Sequence, residues 1–314
     1  MKILITGIHG FVGTNLVASL SKAYEIYGLD IIAPEKEGVV KTYSWEDLDA
    51  GCVAEVDAIV HLAGKAHDTK NQAAAEVYFK VNRDLTIKMF DYFCAHPITK
   101  KFVFFSTAKA AADKVDGVLT EDVVPAPIGP YGESKIAAER YLLSKMDDVR
   151  SKSKDVYIFR PCMIHGPGNK GNLNLLYNVV KKGVPWPLGA FENRRTFTSV
   201  ENICFAVNGV LTKDVASGIY NMGDDEALST NELIEEICKS LGKKAHIWKL
   251  PKGLMYSAAK VGGFLHLPLD PERLRKLTEN YISSNEKIKK ALSVERMPVD
   301  AREGLKVTLE SFAK

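Results

Sequence analysis

Tyr131 and Lys135, in the stretch Pro-Tyr-Gly-Glu-Ser-Lys at 130–135, stand four residues apart. That spacing puts both on one face of a helix. A tyrosine phenol is a poor acid or base at its ordinary pKa of about 10. A neighbouring ammonium stabilises the phenolate and lowers that value. Such a pair can pass a proton to or from a hydroxyl near neutral pH. Ser106 and Thr107 close the apolar run that starts at Phe102. The Thr107 hydroxyl can orient a reacting oxygen beside Tyr131. Each signal alone has a plainer reading, as a helix-surface pair and as a threonine ending a strand.

Gly7, Gly10 and Gly13 follow the run Lys-Ile-Leu-Ile, with Phe11 and Val12 between the last two. In a G-x-x-G-x-x-G turn from strand to helix, the first glycine permits the tight turn. The second lets a pyrophosphate sit against the backbone, and the third lets helix and strand pack closely. The helix N-terminus then receives the negative charge. Asp30, 23 residues after Gly7 at the end of the next apolar run, is placed to accept hydrogen bonds from ribose hydroxyls. Ile31 and Ile32 follow it with no arginine, so the spacing favours NAD(H) over NADP(H). A bound nicotinamide would add a second positive charge near Tyr131.

The elements that must position these groups are short apolar runs alternating with longer periodic segments. Residues 2–6, 25–29, 58–63, 102–106 and 156–160 read as buried strands, and 11–22, 74–95, 131–145 and 173–182 as helices. Alternation of this kind predicts an α/β fold, a Rossmann-type doubly wound parallel sheet with ligands beyond the strands' carboxyl ends. Loop-rich stretches at 166–172 and 184–189, then helices near 201–212, 230–241 and 300–312, predict a smaller, discontinuous C-terminal substrate-binding region. We therefore expect an NAD-binding domain over 1–165, rejoined by segments near 195–222, and a mainly substrate-binding region over 166–314. The apolar stretch 253–269 reads as a packed helix or lid.

The 314 residues are 46% hydrophobic and 26% charged, with a net charge of +3. That charge is too small to argue for nucleic acid. Five cysteines without C-x-x-C spacing read as reduced, mostly buried thiols, with no metal site. No charged leader and apolar core precedes the first strand, and no apolar stretch reaches bilayer length, so a cytoplasmic protein without membrane contact is expected.

In family order along the chain, TGIHGFVG, VDAIVHLAG, VNRDLT, FFSTAK, PYGESKIAAE, RPCMIHGPG and RRTFTSVENI resemble the extended short-chain dehydrogenases/reductases of the nucleotide-sugar epimerase/dehydratase superfamily. The likeness is to relatives of UDP-galactose 4-epimerase. GPGNKGNLNLL and PLGAFENRRTFTSVENI resemble in particular the 4-keto-reductases acting on UDP-6-deoxy-N-acetylhexosamines for surface polysaccharides. The resemblance implies Thr107, Tyr131 and Lys135 as the catalytic set, with Lys135 also holding the nicotinamide ribose. It implies a cofactor lining at Leu62, Ala63 and Gly64, where Gly64 replaces a usual alanine. For the UDP-sugar it implies Arg195 on the diphosphate, Asn172 at the helix that meets UDP, and Lys109. Asn82 and His67 match positions without a derived role. A second substrate arginine is either Arg273 or Arg275. A homodimer through helices beginning near Ala74 and Tyr131 is also implied, with Tyr92, Phe93 and Ile136 as apolar contacts.

Met163 replaces the substrate-touching asparagine of many members, and Thr196 the aspartate after the phosphate-binding arginine. Ala108 and Lys109 stand where a dehydratase needs an Asp-Glu pair, which disfavours water elimination. The expected activity is 4-keto-reduction, with UDP-sugar 4-epimerisation as the alternative and a non-catalytic NAD sensor as a distant third.

Overall fold

The computed structural model describes residues 1–65, 74–265 and 269–313. Its first half runs β1 (Lys2–Thr6), α1 (Phe11–Leu20), β2 (Glu25–Leu29), β3 (Lys41–Tyr43), α2 (Trp45–Asp49) and β4 (Ala58–His61). Then come α3 (Ala75–Tyr78), a π-helical turn (Phe79–Asp84), α4 (Leu85–Ala95), β5 (Lys101–Phe105), a 3-10 turn (Ala108–Ala110), β6 (Val118–Leu119), α5 (Pro130–Ser144) and α6 (Met146–Ser151). The second half runs β7 (Asp155–Pro161), β8 (Met163–His165), α7 (Asn172–Lys181), β9 (Phe197–Ser199), α8 (Val200–Thr212), β10 (Gly218–Met222) and α9 (Thr230–Ser240). It ends with α10 (Lys252–Phe264), α11 (Pro271–Thr278), β11 (Ile282–Ser283), α12 (Glu286–Leu292) and α13 (Ala301–Ala313).

Seven strands form one parallel sheet in the order β10-β7-β5-β4-β1-β2-β3. The chain builds outward from β1 to β3, then returns to lay β4 on the other side of β1. That reversal opens a crevice at the carboxyl ends of β1 and β4, the place where such sheets bind ligands. This is the Rossmann-type α/β fold expected from the sequence. The two edge strands, β3 and β10, were not expected. Lys-Thr-Tyr is too short and polar to read as an apolar run, and β10 carries Asn221 amid its apolar residues.

Alternate residues of each strand serve opposite faces. Ile3 and Ile5 pack with Leu16, Ile203, Val207 and Leu292, beneath α1, α8 and α12. Leu4 lies on the other face with Phe90, Phe93, Phe102 and Leu142, beneath α4 and α5. A third core, made without the large sheet, joins α7, α9, α10, α11 and α13 through residues such as Tyr177, Ile237, Leu274 and Leu305.

Two sequence expectations change here. Phe93 is fully buried and Ile136 is 4% exposed, because both fill the chain's own interior, so neither offers apolar surface to a second copy. Tyr92 is half-buried and stacks on His96. Of the five free cysteines only Cys204 and Cys238 are buried, and Cys52 is exposed.

Gly7 takes a left-handed φ of +68°, and a Cβ on it would stand 3.0 Å from the Ala63 nitrogen. A Cβ on Gly13 would stand 2.6 Å from the Gly7 carbonyl oxygen and 2.8 Å from Ile8 Cα. Backbone cannot yield as a side chain does, so Gly13→Ala should lower the unfolding free energy by about 1–3 kcal/mol. Gly253→Ala, in open space on α10, should leave stability level or higher. Urea titration of the two variants checks the contrast.

Candidate active site

The catalytic candidates converge where β5 ends against the first turns of α5. Thr107 is 7% exposed, and its hydroxyl stands close enough to the Tyr131 phenol to pull the phenol's pKa down. Gly132 makes this approach possible, since a Cβ there would meet the Lys109 carbonyl oxygen at 2.7 Å. One turn on, Lys135 is 5% exposed, donates to the Phe105 carbonyl at 2.8 Å and lies 4.9 Å from the Phe104 ring centroid. Tyr78 packs its ring edge-on to Tyr131, with centroids 6.4 Å apart.

Burial pulls the Lys135 ammonium down to about 8, against the upward pull of Glu139. The expected lowering of the Tyr131 phenol is not what the structure gives. Burial raises its pKa, the Thr107 hydroxyl only partly lowers it, and Tyr78 raises it further. Desolvation penalises the phenolate more than one hydroxyl can compensate.

Beneath the pair lies a buried ionic network. Arg160 grips Glu139 through Nε at 3.0 and 3.1 Å and through Nη2 at 2.5 Å, both residues being almost wholly buried. Ser106, next to Thr107, donates its hydroxyl to the same carboxylate. Glu139 thereby ties α5 to the ends of β5 and β7.

A second network orders the loop after β4. The Thr86 hydroxyl donates to the Asn82 carbonyl at 2.7 Å, so it accepts from His61 Nε2 at 3.0 Å. His61 Nδ1 then accepts from Thr6 Oγ1 at 2.8 Å, and Thr6 accepts from the amides of Leu62 and Ala63 at 3.1 and 3.0 Å. The imidazole is neutral, as burial and then the Lys135 charge hold it down to about 3. This chain of bonds explains why β4 stops at His61 rather than at residue 63. Asn82, in the π-helical turn, accepts from the Lys65 amide at 2.7 Å and donates to the Lys65 carbonyl and to Ser134 Oγ. It clamps the 62–65 loop to α5. A Cβ on Gly64 would meet Asn82 Oδ1 at 3.0 Å and Lys135 Nζ at 3.1 Å, so the usual alanine would crowd the ammonium.

The residues at the crevice fit a dinucleotide. A Cβ on Gly10 would meet only the Gly7 oxygen, which leaves that backbone open to a phosphate. Phe11 and Val12 open the first turn of α1, where Phe11 stands against the 166–168 turn. Asp30 accepts from the His9 amide at 3.0 Å and from the Ile31 amide at 2.8 Å, beside an Ile31 that is 84% exposed. His9 Nε2 is buried in the same turn without a partner among the described residues. Sequence reasoning missed His9, whose only signal was a polar residue inside the glycine turn.

The substrate candidates are less gathered. Arg195 is partly buried, donates through Nη1 to the Lys276 carbonyl, and is pulled below the usual arginine range by burial against the opposing influences of Cys162, Tyr281 and Glu279. Tyr281, missed in the sequence, is bridged to Arg195 and donates its hydroxyl to the Ala112 carbonyl at 2.8 Å, so it joins the Arg195 segment to the loop after Thr107. Lys109, in that loop, pairs with Asp113 at 3.2 Å. Arg275 pairs with Glu279 at 3.7 Å and lines a cavity of ≈ 330 Å³ between α10 and α11. Arg273 instead faces Asp270. Asn172 stands exposed at the first residue of α7, joined to this cluster by no hydrogen bond among the described residues. His67 lies outside the described residues.

A doubly wound parallel sheet with a glycine turn at its crevice is a Rossmann-type dinucleotide-binding fold, and Thr107, Tyr131 and Lys135 gather beside that crevice. The chain belongs to the NAD dependent epimerase/dehydratase family, whose model matches residues 3–223. It is 31% identical over 268 residues to UDP-glucose 4-epimerase of Vibrio cholerae, covering 80% of this chain and 78% of that protein. It is 28% identical over 296 residues to N-acetyl-alpha-D-glucosaminyl-diphospho-ditrans,octacis-undecaprenol 4-epimerase of Escherichia coli O157:H7, covering 92% and 85%. The solved structure of UDP-glucuronic acid 4-epimerase from Bacillus cereus in complex with NAD superposes with a TM-score of 0.76 at 21% identity, over 100% of this chain and 99% of that one. This is an NAD-dependent enzyme of the nucleotide-sugar epimerase, dehydratase and reductase group.

Lys135 sets a pH dependence of stability. An unfolded lysine titrates near 10.5, so between about 8 and 10.5 the unfolded chain holds a proton that the folded chain lacks. Stability therefore rises with pH across that window, and below it the fold carries the full cost of a buried charge. Lys135→Met should raise the unfolding free energy at pH 7 by about 1–3 kcal/mol, less than the whole shift because the Phe105 carbonyl loses its donor. The gain should fade as pH approaches 10.5. Urea titrations at pH 7 and pH 10 measure it, and a variant less stable than wild type at pH 7 contradicts the assignment.

Proposed function

We propose that the protein moves hydride to or from C4 of a UDP-sugar and acts as a 4-keto-reductase on a UDP-6-deoxy-N-acetylhexosamine. The observation that carries the C4 chemistry is the juxtaposition of the Thr107 hydroxyl and the Tyr131 phenol, one helical turn from the buried ammonium of Lys135. Bound NAD supplies the hydride donor or acceptor. Tyr131 delivers a proton to the C4 oxygen in reduction, and Thr107 holds that oxygen in line. Burial keeps the phenol protonated, which suits a proton donor. Lys135, half neutral near pH 8, can bond a ribose hydroxyl when it leaves Phe105.

Gly7, Gly10, Phe11, Val12 and Gly13 would hold the pyrophosphate, Asp30 the adenosine ribose, and Leu62, Ala63 and Gly64 the nicotinamide side. Arg195 would meet the sugar diphosphate as a guanidinium fork. Arg275, tied through Glu279 to the Arg195 neighbourhood, is favoured over Arg273 as its companion. Asn172 and Lys109 would flank the uridine and sugar.

The stretches at 166–176 and 187–203 support the reductive direction. The relatives named as 4-epimerases support a second reading in which C4 is oxidised and hydride returns to the opposite face. The two share every residue named so far. Lys109, where eliminating relatives need a carboxylate pair, argues against dehydration.

Tyr131→Phe should lower turnover by at least about a hundredfold while NAD binding changes less than about twofold. Steady-state rates and fluorescence titration with NAD(H) check this, and a variant turning over at the wild-type rate ends the mechanism. Offered UDP-4-keto-6-deoxy-N-acetylhexosamine and NADH, the enzyme should consume NADH absorbance stoichiometrically. Interconversion of UDP-sugars with no net NADH change decides for the epimerase.

A further inference from the structure

One row of side chains on α10 has no counterpart in the chain's own packing. The helix seats Met255, Ala259 and Gly262 inward, two of them in the third core. At 3.6 residues per turn, Leu254, Ala258, Val261 and Leu265 form a second row alongside. All four are open to solvent, and Phe264 beside them is 84% exposed. Trp248, just ahead of the helix, is also exposed. A surface helix ordinarily turns polar residues outward. A contiguous apolar row with a polar rim marks an interaction surface.

Charge selects the partner. Residues 242–265 hold five lysines and no aspartate or glutamate. Among the described residues Lys244 and Lys249 make no ion pair, whereas Lys252 sits over the Phe191 ring and Lys260 lines the cavity between α10 and α11, so Lys244 and Lys249, near the exposed Trp248, are the cations open to a partner. A second copy docked through this face would set the same lysines against themselves, because a two-fold contact is self-complementary. An anionic bilayer surface satisfies both features. Phenylalanine and leucine enter the acyl boundary, lysines stay at the phosphates, and tryptophan suits the interface. No helix among the described residues is long and apolar enough to cross a membrane, so the contact would lie in the plane of the surface.

We propose that α10 docks this protein on anionic lipid. The sequence reading expects no membrane contact at all; this proposal departs from it, because the row appears only once burial is known. The proposal is independent of the sugar and of the direction of hydride transfer. Through α11, whose Lys276 carbonyl receives Arg195, it places the lipid-facing helix one element away from the candidate diphosphate site.

Co-sedimentation with phosphatidylcholine vesicles, with and without phosphatidylglycerol, tests it. Binding should be at least about tenfold stronger with the anionic lipid and should fall in high salt. Phe264→Ser with Leu265→Ser should weaken binding at least about tenfold, and Lys249→Gln roughly fivefold. These exposed positions should leave the melting curve and the turnover of soluble UDP-sugar unchanged. No sedimentation with anionic vesicles, or binding indifferent to the serine variant, overturns the proposal. So does a wild-type oligomer in analytical ultracentrifugation that the serine variant dissociates, since another copy would then cover the row.

Discussion

Everything at the candidate active site hangs from the carboxylate of Glu139. It lies on the same helix as Tyr131 and Lys135, yet its partners belong to two strands, Ser106 at the end of β5 and Arg160 at the end of β7. A buried ion pair of this kind adds little net stability compared with apolar packing, but loss of either partner strands a charge. Its consequence here is geometric. With Glu139 fixed to both strands, α5 is held along the strand ends, which keeps Tyr131 beside Thr107.

The glycine turn was legible because its demands are local: a strand, a left-handed Gly7, a helix start and an acid after the next strand all sit within thirty residues. The pair Tyr131–Lys135 was legible for the same reason. What lay hidden depends on partners far along the chain. Asn82 acts from a π-helical turn that apolar periodicity cannot reveal. His61 takes its role from Thr6 and Thr86, one on a neighbouring strand and one on a helix. Phe93 and Ile136 looked available to a partner because a helix pattern does not say which apolar face the sheet will claim.

Burial also reverses one chemical expectation. Proximity in sequence suggested an ammonium easing a phenol toward ionisation. In the fold both groups are drawn out of water, so each is pushed toward its neutral form, the phenol up and the ammonium down. The arrangement stores protons on tyrosine rather than shedding them, and any ligand charge entering the crevice acts on a pair whose basicities burial has driven apart.

The route of the chain between its cores has a further consequence. After β7 the backbone leaves the large sheet for α7, returns with α8 and β10, departs again through α9, α10 and α11, comes back as α12 and ends in α13 on the far core. Ile288 and Leu292 belong to one interior while Leu305 and Leu309 belong to the other. No single cut separates the two interiors. The two interiors are stitched like cloth rather than hinged like a door, and neither half can be excised, swapped or grafted as a module without unpicking the other.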